Sequence, residues 1–159
     1  MTNPIKNIYR FNKEAGLLDK GYDDCKEIAY SIEEMLEAFP EYNLQKLATK
    51  INSPEDTPKM ISRHIATIVN TPYKEEINIS DVDRFDKHLD AIVFNFGSLF
   101  KLGLTPQQAM KGLSVVMQAN MQKLHAGQDS EGKQQKPVNF VGPEEQLQKI
   151  LDERSENDV

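Results

Sequence analysis

Apolar residues recur along this chain at three- and four-residue steps, and β-branched runs of alternating polarity are absent, so the pattern predicts an all-α protein. A short first helix is expected over residues 5–17, with Ile8 and Phe11 turned inward and Gly16 ending it. The first strong helix runs from about Asp19 to Phe39; Tyr22, Cys25, Ala29, Ile32, Leu36 and Phe39 form its stripe, and Pro40 stops it. Residues 43–51 and 58–70 read as two shorter helices, separated by the breaker-rich Asn52-Ser53-Pro54-Glu55-Asp56-Thr57-Pro58 and closed by Asn70-Thr71-Pro72. The second strong helix starts at Ser80, where Ser80 and Asp83 resemble a capping box with Asp in place of Glu or Gln. Its inward stripe is Phe85, Leu89, Ile92, Val93, Phe96 and Phe100, and it ends near Leu102-Gly103. Thr105-Pro106-Gln107-Gln108 announces a third, with Thr as N-cap, Pro at the first helical position and Gln completing the box; it continues to about Leu124. A polar loop over 126–142 and a short helix from Pro143 to Arg154 follow.

Size and charge narrow the picture. A chain of 159 residues builds one domain with a real core, expected over residues 1–155, with 156–159 as a frayed tail. The net charge of -6 and the lack of a long basic stripe argue against duplex nucleic acid as a partner. Cys25 is the only cysteine, so an intrachain disulfide and the Cys/His spacing of structural zinc are both excluded. Met1 to Arg10 lacks the apolar core of a signal peptide, and no segment approaches about 18 uninterrupted apolar residues. The expectation is a protein of the reducing cytoplasm with no membrane partner.

Two acidic stretches carry the candidate chemistry: Glu33-Glu34-x-x-Glu37 and Asp86-x-x-x-Asp90. At about 100° per residue, Glu37 lies about 40° and Glu34 about 100° from Glu33, while Cys25, Ile32, Leu36 and Phe39 cluster on the neighbouring flank. Asp90 lies about 40° and Asp83 about 60° from Asp86, and Phe85, Leu89, Ile92 and Phe96 take the matching flank. Packing the two seams antiparallel lets the acidic patches face each other. Unit charges 4 Å apart repel by roughly 4 kcal/mol at an effective dielectric near 20, so several such pairs would exceed the stability of a typical domain. Protonation, splaying into solvent or a bound cation relieves the strain, and oxygen-only ligands suit a hard ion, Mg²⁺ or Mn²⁺. An ordinary solvated helix face is the plainer reading, but Glu33 and Glu37 have Glu37 and Glu41 at i+4 where such a face would place Lys or Arg. Gly97 and Lys101 continue the Asp86–Asp90 face, the first leaving room and the second reaching toward a ligand anion.

The third strong helix holds an anomaly. Asn120 sits within about 60° of Ala109, Leu113, Val116, Met117 and Leu124. A buried amide without partners costs about 1–3 kcal/mol, so Asn120 either fixes helix register through a hydrogen bond or lines a pocket. Lys123, one turn on, either snorkels or meets a phosphate. The following stretch, Gly132-Lys133-Gln134-Gln135-Lys136-Pro137-Val138-Asn139-Phe140-Val141-Gly142-Pro143, is locally basic in an acidic chain. It is either a connector pinned by Phe140 and Val141 or a source of cations for a polyphosphate.

Taken in order, these segments resemble the all-α nucleoside triphosphate pyrophosphatases, which include MazG-like proteins and phosphoribosyl-ATP pyrophosphohydrolases. Phe11-Asn12-Lys13-Glu14-Ala15-Gly16 is similar to the opening segment of the phosphoribosyl-ATP pyrophosphohydrolase-like branch. Ile32-Glu33-Glu34-Met35-Leu36-Glu37 matches the EExxE helix, and Asp86-Lys87-His88-Leu89-Asp90-Ala91-Ile92-Val93-Phe94 resembles the second acidic helix. Asn120-Met121-Gln122-Lys123 and Gly132-Lys133-x-x-Lys136-Pro137-x-x-Phe140 resemble that branch's NxxK and GKxxKP segments. The second acidic motif departs from the ExxD of MazG: position 87 is Lys, so the partner of Asp90 is Asp86 or Asp83. The interval between the acidic motifs is also longer than usual, filled by residues 41–79.

The resemblance implies a helical bundle in which the EExxE and DxxxD helices pack together, completed by oligomerisation as a homodimer or homotetramer, with the 41–79 helices as a candidate contact. It implies a Mg²⁺-dependent hydrolase, or one using Mn²⁺, that cleaves a nucleotide between its α and β phosphates to a monophosphate and pyrophosphate. Glu34, Glu37, Asp86 and Asp90 would hold metal, and Glu33 would be a further ligand or the base that takes the proton of the attacking water. Asn120 would orient sugar or phosphate, and Lys123 and Lys136 would bind the leaving pyrophosphate. Phe11, Phe94 and Tyr22 are candidates for the base and sugar pocket. The alternative is a helical module that binds a nucleotide or metal, or regulates a partner, without turnover.

Overall fold

Caps and breakers set the helix boundaries in the computed structural model, which describes residues 3–70, 79–128 and 134–153. The described residues form seven α-helices: α1 (Pro4–Glu14), α2 (Asp24–Leu36), α3 (Glu41–Ile51), α4 (Pro58–Asn70), α5 (Asp81–Lys101), α6 (Pro106–Met121) and α7 (Glu144–Asp152). No β-strand occurs among the described residues; Gln128 and Gln134 form one isolated bridge. None of the described helices is long and apolar enough to cross a membrane. The helices gather in two compact units, Gly21–Asn78 and Met1–Lys20 with Ile79–Val159.

In the Gly21–Asn78 unit the helix expected over Asp19–Phe39 is shorter at both ends. Leu18–Lys20 make a separate single 3₁₀ turn, and Gly21 has φ +71, a left-handed conformation that breaks the helical path. Asp23 then caps α2, its carboxylate accepting from the amides of Cys25 and Lys26 at 3.0 and 3.2 Å. Tyr22 and Phe39, read as stripe residues, fall outside α2 and are exposed. The main partner of α2 is α4, and the two bring small buried residues together: Ala29 of α2, Ser62 and Ala66 of α4. Leu36, Leu44, Ala48 and Ile61 form the core, flanked by Ile32, Leu47, Ile51 and Ile65. Asn52 ends α3 with φ 54, and the amide of Ser53 reaches back to the Ala48 carbonyl at 2.9 Å. A ring nitrogen of His64, Nε2, lies 2.9 Å from the Ile51 carbonyl and ties α4 to that end of α3.

In the other unit α6 is the central helix and packs against α1, α5 and α7. Its boundary follows the expected capping box: Thr105 Oγ1 accepts from the Gln108 amide at 3.3 Å, and Gln108 Oε1 accepts from the Thr105 amide at 2.9 Å. Ala109, Val115, Met117 and Ala119 are its buried apolar residues. The Lys111 ammonium bridges to Glu153, beyond the end of α7, at 2.9 Å. Ser80 and Asp83 form the second capping box, at the start of α5.

The expectation for α5 needs correction. The periodicity predicts an inward-facing stripe, yet none of its 21 residues is buried. Phe85 remains 67 % exposed and Val93 66 %. A heptad-like stripe reports that a helix has an apolar face, and says nothing of whether the cover comes from its own unit.

Two outcomes test these elements. Replacing Thr105 by Ala removes the side-chain half of the α6 cap, the bond from the Gln108 amide, and should cost about 1 kcal/mol, read as a lower denaturant midpoint at unchanged slope. The Asp23 carboxyl is held below its ordinary range by the Lys26 ammonium, then by the Lys26 amide. A lowered folded-state value gives stabilisation that is present above the unfolded value and lost as pH falls through the folded one. Hydrogen exchange at Cys25 and Lys26 should therefore lose protection on acidification below the usual carboxylate range, and Asp23→Asn should lack that step.

Candidate functional site

The basic side of the predicted site is assembled within one unit. After α6, Gln122–His125 continue as a 3₁₀ turn, so Asn120, Gln122 and Lys123 sit where the α-helix tightens and stops. The chain then reverses: the Gln135 amide donates to the Gly127 carbonyl at 3.0 Å, and Gln128 Nε2 donates to the Ala15 carbonyl at 3.1 Å. That second bond fastens the reversal to the residue following α1.

Gln122 fixes the returning strand of chain. Its Nε2 donates to the Val141 carbonyl and its Oε1 accepts from the Val141 amide, both at 3.0 Å. A turn with the Phe140 amide on the Pro137 carbonyl at 3.0 Å sets the ring of Phe140 beside the helix end. The ammonium of Lys123 lies 5.5 Å and that of Lys136 5.2 Å from the centroid of this ring. Lys123 Nζ also donates to Asn120 Oδ1 at 2.8 Å, which leaves the amide nitrogen of Asn120 as the donor end.

Asn120, Lys123 and Lys136 thus come together, as the sequence pattern groups them. Of the basic loop, Gly132 and Lys133 lie outside the described residues. Gln122 is the residue that sequence reasoning passed over. A side-chain amide that clamps a backbone 19 residues away has no periodicity or spacing to announce it.

The acidic residues fall in separate settings. Glu33 is buried at 9 % exposure on the packed side of α2, while Glu34 and Glu37 are exposed. Glu37 is the C-cap, its amide on the Glu33 carbonyl at 3.0 Å, so this set occupies the negative end of the helix dipole. The last turn of α2 holds no basic residue to offset it. Asp86 and Asp90 are exposed on α5, where the intervening Lys87 is half-buried. Gly97 stands in open space, with nothing within 4 Å of where a Cβ would be. Phe94 is 75 % exposed on the same helix.

Among the described residues, no three His, Cys, Asp or Glu side chains stand close enough together to hold a metal ion. By donor chemistry, Glu34, Glu37, Asp86 and Asp90 fit a hard divalent cation, since all are carboxylates. An open recess lined by Gln45, Thr49, Asn52 and residues 53–57 contains none of the predicted site residues. Comparison with protein-family models, with curated proteins and with solved structures gave no match to this chain.

Proposed function

We propose that this chain is a Mg²⁺-dependent nucleotide pyrophosphohydrolase that converts a nucleoside triphosphate, or a related nucleotide, to a monophosphate and pyrophosphate. The observation that carries the reading is the meeting of Asn120, Lys123 and Lys136 on the ring of Phe140. Two ammoniums meet one ring in an acidic chain, with an amide donor held by one of them. A diphosphate group carries the complementary charge and acceptors.

The acid sets support the same reading by their electrostatics. Glu34 and Glu37 at the C-terminal end of α2 are placed where negative charge is least favourable, and a cation would relieve that. Glu34, Glu37, Asp86 and Asp90 would hold Mg²⁺, or Mn²⁺, whose chemistry is to neutralise phosphate oxygens and sharpen the acidity of bound water. That both sets serve one substrate belongs to the proposal and rests on the resemblance of the segments.

The chain's own groups then take separate tasks. Lys123 and Lys136 stabilise the charge that grows on the leaving pyrophosphate. Asn120, its oxygen held by Lys123, donates through its nitrogen to a phosphate or sugar oxygen. Glu33, buried next to the exposed Glu34, accepts the proton of the attacking water or adds a further ligand. Such an enzyme would work as a homodimer or homotetramer in the cytoplasm.

One observation favours the second reading, a nucleotide-binding module without turnover: the absence of a three-acid cluster among the described residues. A panel of nucleoside triphosphates with Mg²⁺ separates the two. The enzyme releases pyrophosphate from at least one of them, and Glu37→Gln abolishes release while helical content is kept. Binding without release from any member would favour the module. Lys136→Ala should weaken pyrophosphate binding about tenfold at low salt. That difference should shrink as salt is raised, because an exposed ammonium is screened; an unchanged affinity would remove Lys136 from the site.

A further inference from the structure

The apolar face of α5 is a repeating seam. Val82, Phe85, Leu89, Ile92, Phe96 and Leu99 follow one another at steps of three and four, the a and d positions of successive heptads. No residue of this helix is buried, and at the centre of the seam Ile92 is 52 % exposed. Counting 150–250 Å² for a whole aromatic side chain, these six residues and Val93 present roughly 500 Å² of apolar surface. Two such faces would bury roughly 1,000 Å² in all, the lower limit for a specific protein interface.

Charge along the helix selects both the occupant and its direction. Asp81, Asp83, Asp86 and Asp90 lie in the first half with Arg84 and Lys87, whereas the second half carries only Lys101. Parallel pairing would set four aspartates against four and align the helix dipoles. Antiparallel pairing sets each acidic half against the uncharged half of the other helix and brings Lys101 to the acidic N-terminus. We propose that α5 pairs antiparallel with α5 of a second copy of this chain. Leu89 packs against Ile92 at the centre, Phe85 against Phe96, and Val82 against Leu99, so every seam residue finds an apolar partner. The pairing does not depend on the chemistry proposed above.

The test is the solution mass of the full chain, by sedimentation velocity and light scattering over a range of concentrations. A dimer is expected, converted to monomer by Leu89→Glu and unaffected by Phe94→Ser, which changes an exposed position off the seam. Circular dichroism checks that each variant keeps its helices. If Leu89→Glu does not fold, Ile92→Ala serves instead and should weaken the dimer about tenfold or more. Spin labels at Lys101→Cys, in a Cys25→Ser background, should lie about 30 Å apart across the dimer, the length of a 21-residue helix. Four results would overturn the proposal: a monomer at every concentration, as when the Gly21–Asn78 unit covers the face; a dimer that survives the seam substitutions; a dimer lost with Phe94→Ser; or labels only about 10 Å apart, as in a parallel pair.

Discussion

The paired hydrogen bonds between the Gln122 side chain and the Val141 backbone are the contact on which the basic site depends. Each is worth about 1 kcal/mol net, a modest amount, yet together they decide where eight residues of loop lie relative to the end of α6. They join the Pro137–Phe140 turn and the Gly127–Gln135 bond in setting Phe140 beside Lys123 and Lys136. With them, two ammoniums lie within 5.5 Å of the centroid of one ring, and an amide is oriented by one of the same ammoniums. A multivalent anion is the ligand proposed for this arrangement.

The acidic half poses the opposite demand. Glu34 and Glu37 end a helix whose last turn has no base, and Asp86 and Asp90 stand on a helix with no fully buried residue. Neither arrangement is what packing alone would select. Glu33 is the exception: covered where α2 packs in its own unit, it trades solvation for a fixed position. A buried carboxylate thus stands next to an exposed one on one turn of α2.

Local rules made much of the fold legible. The two capping boxes at Ser80 and Thr105 and the Pro106 start depend on residues within one turn, and they fall where the pattern places them. Asn120, Lys123 and Lys136 were legible as a group because motif order carried them. What local rules missed depends on longer range or on competition. The break at Gly21 overrode an amphipathic stripe that continues through it, because φ +71 cannot join a right-handed helix. Gln122 acts on a backbone 19 positions away. The exposure of the α5 seam is a property of what packs on it, which periodicity does not encode.

The central proposal is that Asn120, Lys123 and Lys136 receive the phosphate chain of a nucleotide. Titration of the full chain with pyrophosphate, followed by nuclear magnetic resonance at the side-chain amide of Asn120, tests it most directly. The account predicts a saturable shift of that amide, lost in Lys136→Ala. An Asn120 amide that does not move, or moves equally in Lys136→Ala, would contradict it.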